Sequence, residues 1–208
     1  MKQKIYLSVD LDYWCCGNAV WTGAVRMMNR LIKLDKPIIM VADHEKMLEH
    51  IDKYPADMLI NVDAHSDIWD YGYTKSNSQK ADCSNWVNYV RWQKQKEYLW
   101  YHSHLTSLCD RGCCHLDHPS PFVKRNRPKY AWATARYRCG LPTRQQIKNV
   151  IAVGIAISED WLNSADQVET ALHVALKHKI KLPDVEKLGV HFGAIDTKLL
   201  KQAKEKLT

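Results

Sequence analysis

Asp57-Met58-Leu59-Ile60-Asn61-Val62-Asp63-Ala64-His65-Ser66-Asp67 is the stretch on which the rest of the chain hangs. It opens as a short apolar run with the composition of a buried strand. It then sets three metal-type ligands at alternate positions, Asp63, His65 and Asp67. In an extended chain these share one side. Where a strand ends and the chain bends, they can converge on one point. Carboxylate oxygen and imidazole nitrogen together suit a hard or borderline divalent cation. The same residues also serve as a plain polar turn, with Asp63 capping and His65 exposed. The stretch alone leaves both readings open.

Two earlier stretches repeat the pattern. Ile5-Tyr6-Leu7-Ser8-Val9 reads as a strand and ends in Asp10-Leu11-Asp12. These two carboxylates share a face and repel each other unless a cation lies between them. Pro37 to Ala42 is another buried-type run and ends in Asp43-His44. Between these strands, Val20, Ala24, Met27, Met28, Leu31 and Leu34 recur at helical spacing over 19–34. A second helix is predicted at 45–53, with Pro55 stopping it. The β-α-β-α-β order predicts a mostly parallel sheet covered by helices. Sheets of this kind carry their sites at the carboxyl ends of the strands.

Downstream, residues 68–83 read as a polar loop. Ser84 or Asn85 is placed to cap a helix over 86–96 that carries Trp86, Val87, Val90 and Trp92. A helix start aimed at the site can offer N–H groups to a substrate oxygen, which puts Asn85 among the substrate-binding candidates. Glu97 to Tyr101 is strand-like and leads into His102-Ser103-His104. Both histidines are acid–base candidates and, equally, ordinary surface residues. Residues 105–128 read as an irregular excursion, long enough to be a substrate-binding candidate. It holds Cys109, Cys113, Cys114 and His115, which lack paired Cys-x-x-Cys spacing and read as loop thiols ahead of a zinc site. A strand is expected at 130–135. Asn149 to Ile157 is the clearest buried strand of the second half and ends in Ser158-Glu159-Asp160-Trp161. Acids there suit a cationic substrate, and Asp160 can equally just start a helix. Ser164 to Gln167 has a capping-box pattern opening a helix over 165–178. The segment from Pro183 ends in a basic amphipathic tail.

A chain of 208 residues can bury one substantial core, so one domain over 1–208 is expected. No apolar run reaches membrane-spanning length, and the N-terminus has no signal-peptide core, so a cytoplasmic protein is expected. Seven cysteines then read as thiols. The net charge of +7 gathers in Lys124-Arg125-Asn126-Arg127-Pro128-Lys129, in Arg136, Arg138 and Arg144, and in Lys198, Lys201, Lys204 and Lys206. It forms either a solvated surface or a groove for an acidic peptide; no nucleic-acid module is visible.

Asp63-Ala64-His65-Ser66-Asp67 resembles the Asp-Ala-His-x-Asp metal motif of the arginase/ureohydrolase superfamily. Ser8-Val9-Asp10-Leu11-Asp12 resembles its Ser-x-Asp-x-Asp motif, and Asp43-His44 its Asp-His motif. The order departs from ordinary arginases, because the Ser-x-Asp-x-Asp motif comes first. Tyr13-Trp14-Cys15 also stands where Asp-Pro usually completes that motif. The permuted order, with Val153 to Asp160, resembles a small arginase-like family that includes peptide arginases, which convert arginine to ornithine in ribosomally made peptides. The resemblance covers residues 8–67 well and 83–160 loosely.

The resemblance implies an arginase-like three-layer αβα fold and two Mn²⁺ ions per chain. Asp10 and Asp63 would bridge them, His44 and Asp67 would complete one, and His65 and Asp12 the other. Water activated between two cations attacks a guanidinium carbon, with Asp67 accepting the proton. His102 or His104 would protonate the departing amine. Glu159 or Glu45 would hold the guanidinium, since planar bidentate pairing favours a carboxylate. The expected substrate is an arginine-containing precursor peptide, and the basic surface suits an acidic leader. Three other readings compete. A mononuclear zinc amide hydrolase of the deacetylase type would use Asp63, His65 and one further Asp, leaving His44 idle. An aspartyl-nucleophile phosphatase would carry Thr or Ser shortly after Asp12, where Tyr13-Trp14 stands. A non-catalytic peptide-binding module would keep the basic groove and an inert metal site.

Overall fold

A computed structural model describes residues 2–14, 18–65, 67, 81, 86–92, 96–102, 134–190 and 195–208, with 18–20, 88, 134, 135, 137 and 161 as backbone. Six strands form one sheet: β1 (Ile5–Asp10), β2 (Ile38–Val41), β3 (Met58–Val62), β4 (Glu97–His102), β5 (Thr134–Cys139) and β6 (Val150–Ala156). Their order is β2-β6-β1-β3-β4-β5, and every pairing is parallel. The helices are α1 (Asn18–Ile32), α2 (Leu48–Lys53), α3 (Arg144–Lys148), α4 (Ala165–His178) and α5 (Thr197–Leu207).

Both faces of the central strands are buried, in keeping with their mostly apolar composition. On β1, Ile5, Leu7 and Val9 pack into one core with residues of α1, α4 and α5. Tyr6, between them, points the other way and packs with Met47, Ile51, Trp86 and Trp92. The alternation of side chains along the strand thus feeds two cores, one on each face. This is a three-layer α/β arrangement.

The connections fix where a crevice opens. From β1 the chain leaves through α1, on one face. After β3, the segment holding Trp86 to Trp92 packs on the other face. Adjacent strands whose chains depart to opposite faces leave a gap at their carboxyl ends, the topological switch point of an open sheet. Val9 pairs with Val62, so Asp10 and Asp63 stand level at that gap. On the far side of β1, Gly154 of β6 passes close under Met47. A Cβ on Gly154 would lie 2.6 Å from Met47 Cγ and 2.7 Å from its Cε.

Three local expectations are corrected. In place of the helix expected over 86–96, the described residues form a single 3-10 turn, Trp86–Tyr89, with 90–92 irregular and 93–95 outside the described residues. The Arg91 backbone N–H goes to Asp52 Oδ1 at 2.8 Å, and the Trp92 indole N–H anchors the segment on the Ile51 carbonyl at 3.0 Å. Of the strand expected at 130–135, residues 130–133 lie outside the described residues, and the described strand runs Thr134–Cys139. It is a sheet edge with Arg136 and Arg138 exposed, so its polar composition hid it. Ser164 sits at the start of α4 but its side chain does not cap. Gln167 Oε1 accepts instead from Asn163 N–H at 2.8 Å. A full capping box forms at Thr143 and Gln146, opening α3.

Candidate metal centre

The same device builds the site twice, at neighbouring strand ends. Asp10 Oδ1 accepts from the Asp12 amide at 2.9 Å, and Asp63 Oδ1 from the His65 amide at 2.7 Å. An aspartate that bonds the amide two residues on turns the chain locally. Each turn brings the second ligand, Asp12 or His65, back beside the first. The turns are stitched together: Asp12 Oδ1 accepts from the Ala64 amide at 3.2 Å, and Asp12 Oδ2 meets His65 Nδ1 at 3.0 Å.

His44 arrives from the turn after β2. Its Nδ1 lies 3.1 Å from Asp10 Oδ2, 3.4 Å from Asp63 Oδ2 and 3.2 Å from Asp67 Oδ2. Its Nε2 meets Ser8 Oγ at 3.1 Å. One ring nitrogen therefore faces the carboxylates while a hydroxyl fixes the other, the usual arrangement around a metal-binding histidine. Asp10, Asp12, His44, Asp63 and Asp67 are buried, whereas the His65 side chain is 35% exposed. The cluster is closed on the His44 side and open on the His65 side.

Two groups of donors result. Asp10, His44 and Asp63 form one, and Asp12, Asp63 and His65 the other; in each, the ligand atoms lie within 4.8 Å of one another. Asp63 belongs to both. These Asp/His groups could hold a metal ion, and the electrostatics suit one. Burial, then the negative charge of Asp67, Asp12 and Asp10, pushes Asp63 well above the usual carboxylate range. Burial, then Asp10, pushes Asp12 up to about 6. Burial also disfavours charge on Asp10 and His44, but their mutual attraction prevails. Asp10 is held below its ordinary value and His44 is raised to about 10. Four acids and two imidazoles crowd this edge, and burial together with neighbouring carboxylates disfavours negative charge on Asp12 and Asp63. A divalent cation would offset that penalty.

The surrounding contacts were not foreseen from sequence. Ser158, after β6, sits in the left-handed region at φ 51° and donates from Oγ to Asp10 Oδ2 at 2.6 Å. Asp67 is also left-handed, at φ 51°, a conformation its short polar side chain tolerates. Trp86 Nε1–H bonds Asp67 Oδ2 at 2.6 Å. Asn61 Nδ2 bonds Asp63 Oδ2 at 3.0 Å, and Trp100 Nε1–H bonds the Asp63 carbonyl at 2.9 Å. No local pattern around Trp86 or Ser158 marks these roles, because each depends on a partner far along the chain.

The remaining candidates are distributed as follows. His102 is buried at the end of β4, with Nδ1 3.8 Å from Cys139 Sγ. Cys139 is exposed. Glu159 is buried and accepts from the Gly189 amide at 2.6 Å through one oxygen. Glu45, in the turn that begins with His44, lies 3.4 Å from Lys187 Nζ, which also pairs with Asp43. Asn85, His104, the Cys109 to His115 cluster, the excursion at 105–128 and the basic run at 124–129 lie outside the described residues. Among the described residues, no helix is long and apolar enough to cross a membrane.

Comparison of the chain with protein-family models, with curated proteins and with solved structures gives no match.

Proposed function

We propose that this chain is a metal-dependent hydrolase of guanidino groups. It adds water across an arginine side chain of a precursor peptide, breaks the bond between the guanidino carbon and the side-chain nitrogen, and releases urea, leaving ornithine. The observation that carries the reading is the sharing of Asp63 between two donor groups at the β1–β3 crevice. One bridging carboxylate between two donor sets is what a pair of divalent cations needs, and Mn²⁺ is the ion proposed. Asp10, His44, Asp63 and Asp67 would hold one ion, and Asp12, Asp63 and His65 the other. When bound, such a pair supplies Lewis acidity and makes a nucleophile from water near neutral pH.

The chain's own residues do the rest. Asp67 takes the proton from the attacking water. Its Oδ2 is fixed by Trp86, so it works from a set orientation. His102, level with this edge at the end of β4, delivers a proton to the departing amine; His104 and Asn85 are the further candidates from sequence. Glu159 and Glu45 are the carboxylates for the guanidinium. Each already has a cation or N–H on one oxygen, so the substrate must share that carboxylate or displace its partner. The solvent-facing His65 side marks the entrance. Exposed Arg138 and Arg144, and the lysines of α5, suit an acidic leader segment.

The test is to incubate manganese-loaded protein with an arginine-containing precursor peptide and with free arginine, reading both by mass spectrometry. Ornithine in the peptide alone supports the proposal. Conversion of free arginine makes the protein a small-molecule ureohydrolase. No conversion of either overturns the guanidino reading, and a metal count of one per chain would favour the deacetylase type.

A further inference from the structure

Trp86 and Trp92 lie in the same core, six residues apart, and both are buried. They differ in what their indole N–H groups do. Trp92 donates to a backbone carbonyl, that of Ile51, which is how a tryptophan buried for packing satisfies its one polar atom. Trp86 donates instead to a side-chain carboxylate, Asp67 Oδ2, at 2.6 Å. Its ring also lies 4.8 Å from the His44 imidazole, inclined by 32°. One fully buried side chain therefore touches two candidate ligands that reach the site from different strands.

We propose that Trp86 is a positioning residue of the candidate metal centre, holding Asp67 by its N–H and His44 by its ring. This rests on the metal reading above. Asp67 follows β3 on irregular, left-handed backbone, so no strand ladder fixes its side chain. The indole N–H takes one lone pair of Oδ2 and sets the carboxylate's plane. The ring face limits the tilt of His44, whose far nitrogen meets Ser8. Nδ1 of His44 then stays turned toward Asp10, Asp63 and Asp67. Ligands held in this way need little reordering when an ion enters. Outer partners of this kind affect metal affinity nearly as much as the ligands do. Trp86 touches no reacting atom and is not itself catalytic.

The test compares wild type, Trp86→Phe and Trp92→Phe, all stripped of metal. Mn²⁺ affinity is measured by calorimetry, and the visible spectrum of the Co²⁺-loaded protein reports ligand geometry. Trp86→Phe keeps a ring and loses the N–H. It is expected to weaken Mn²⁺ binding by about 10- to 100-fold and to shift the Co²⁺ bands. Trp92→Phe loses an equally buried hydrogen bond and is expected to leave both readouts unchanged. Wild-type affinity and spectrum in Trp86→Phe would overturn the inference while leaving the metal centre standing. Equal loss in both variants would also overturn it, since the effect would be general loosening. A wild-type protein that binds neither ion overturns the metal reading itself, and this inference with it. If Trp86→Phe does not fold, Trp86→Tyr is put through the same two measurements.

Discussion

Asp63 is the one acid common to both donor groups, so its replacement should not resemble that of its neighbours. Asp63→Asn is expected to abolish binding of both ions. Asp12→Asn should spare the group of Asp10, His44 and Asp63. Metal counting after dialysis separates the two outcomes. In chelator the order of stability reverses. Burial and three nearby carboxylates disfavour the Asp63 charge, so metal-free Asp63→Asn should melt at or above wild type. The pH dependence follows the same charges. Asp12, raised to about 6, is more costly folded than unfolded once it ionises, so stability falls as pH rises from about 4 to 6. His44, raised to about 10, stabilises fully below its ordinary value near 6.5, and that contribution is lost as pH rises toward 10. The metal-free protein should therefore melt progressively lower between pH 6.5 and 10. His44→Asn should flatten that slope. Added metal should help more at high pH, because it takes the place of the proton.

At the level of strands and turns, His44 is held by packing from below and by hydrogen bonds from behind. Met47 ends the turn that carries His44 and presses on Gly154 of the central strand β6. Gly154→Ala should cost about 1–3 kcal/mol by overpacking and move the His44 turn. Adding Met47→Ala should recover part of the melting temperature. Behind the turn, Asp184 accepts from the Ala42 amide at 2.8 Å and the Asp43 amide at 3.2 Å. Asp184→Ala strands two N–H groups and should cost about 1–3 kcal/mol for each that stays buried, with weaker metal binding as a second readout. These supports also mark what could be read from the chain. Asp10, Asp12, His44, Asp63 and His65 were legible because each follows an apolar run at a strand end. So was the parallel sheet, from the regular exchange of strand and helix. Asp184, Ser158 and Trp86 were not, since their partners lie far off in sequence and no local spacing encodes them. The 86–96 segment misled because its apolar spacing is helical, while its Arg91 amide bonds Asp52 and its two indoles are anchored outside the segment, on Asp67 and the Ile51 carbonyl.

Considered entire, the chain should gain stability from metal by mass action. Mn²⁺ at a hundred times its Kd is expected to add about 2.7 kcal/mol, visible as a melting temperature several degrees higher that chelator reverses. Binding of an acidic-leader peptide should weaken steeply between low and physiological salt, as screened attraction requires. Salt-insensitive binding would remove the basic surface from the recognition model.

All six candidate ligands lie within the first 67 residues, yet that stretch alone cannot bring His44 to the others. β1 and β2 are not neighbours. The last strand, β6, lies between them, and Ser158 behind it secures Asp10. A nascent chain carrying every ligand thus has an empty slot at the middle of its sheet until residues 150–158 are translated. Until then only the group of Asp12, Asp63 and His65, carried by the directly paired β1 and β3, could form, and the group that includes His44 waits on β6.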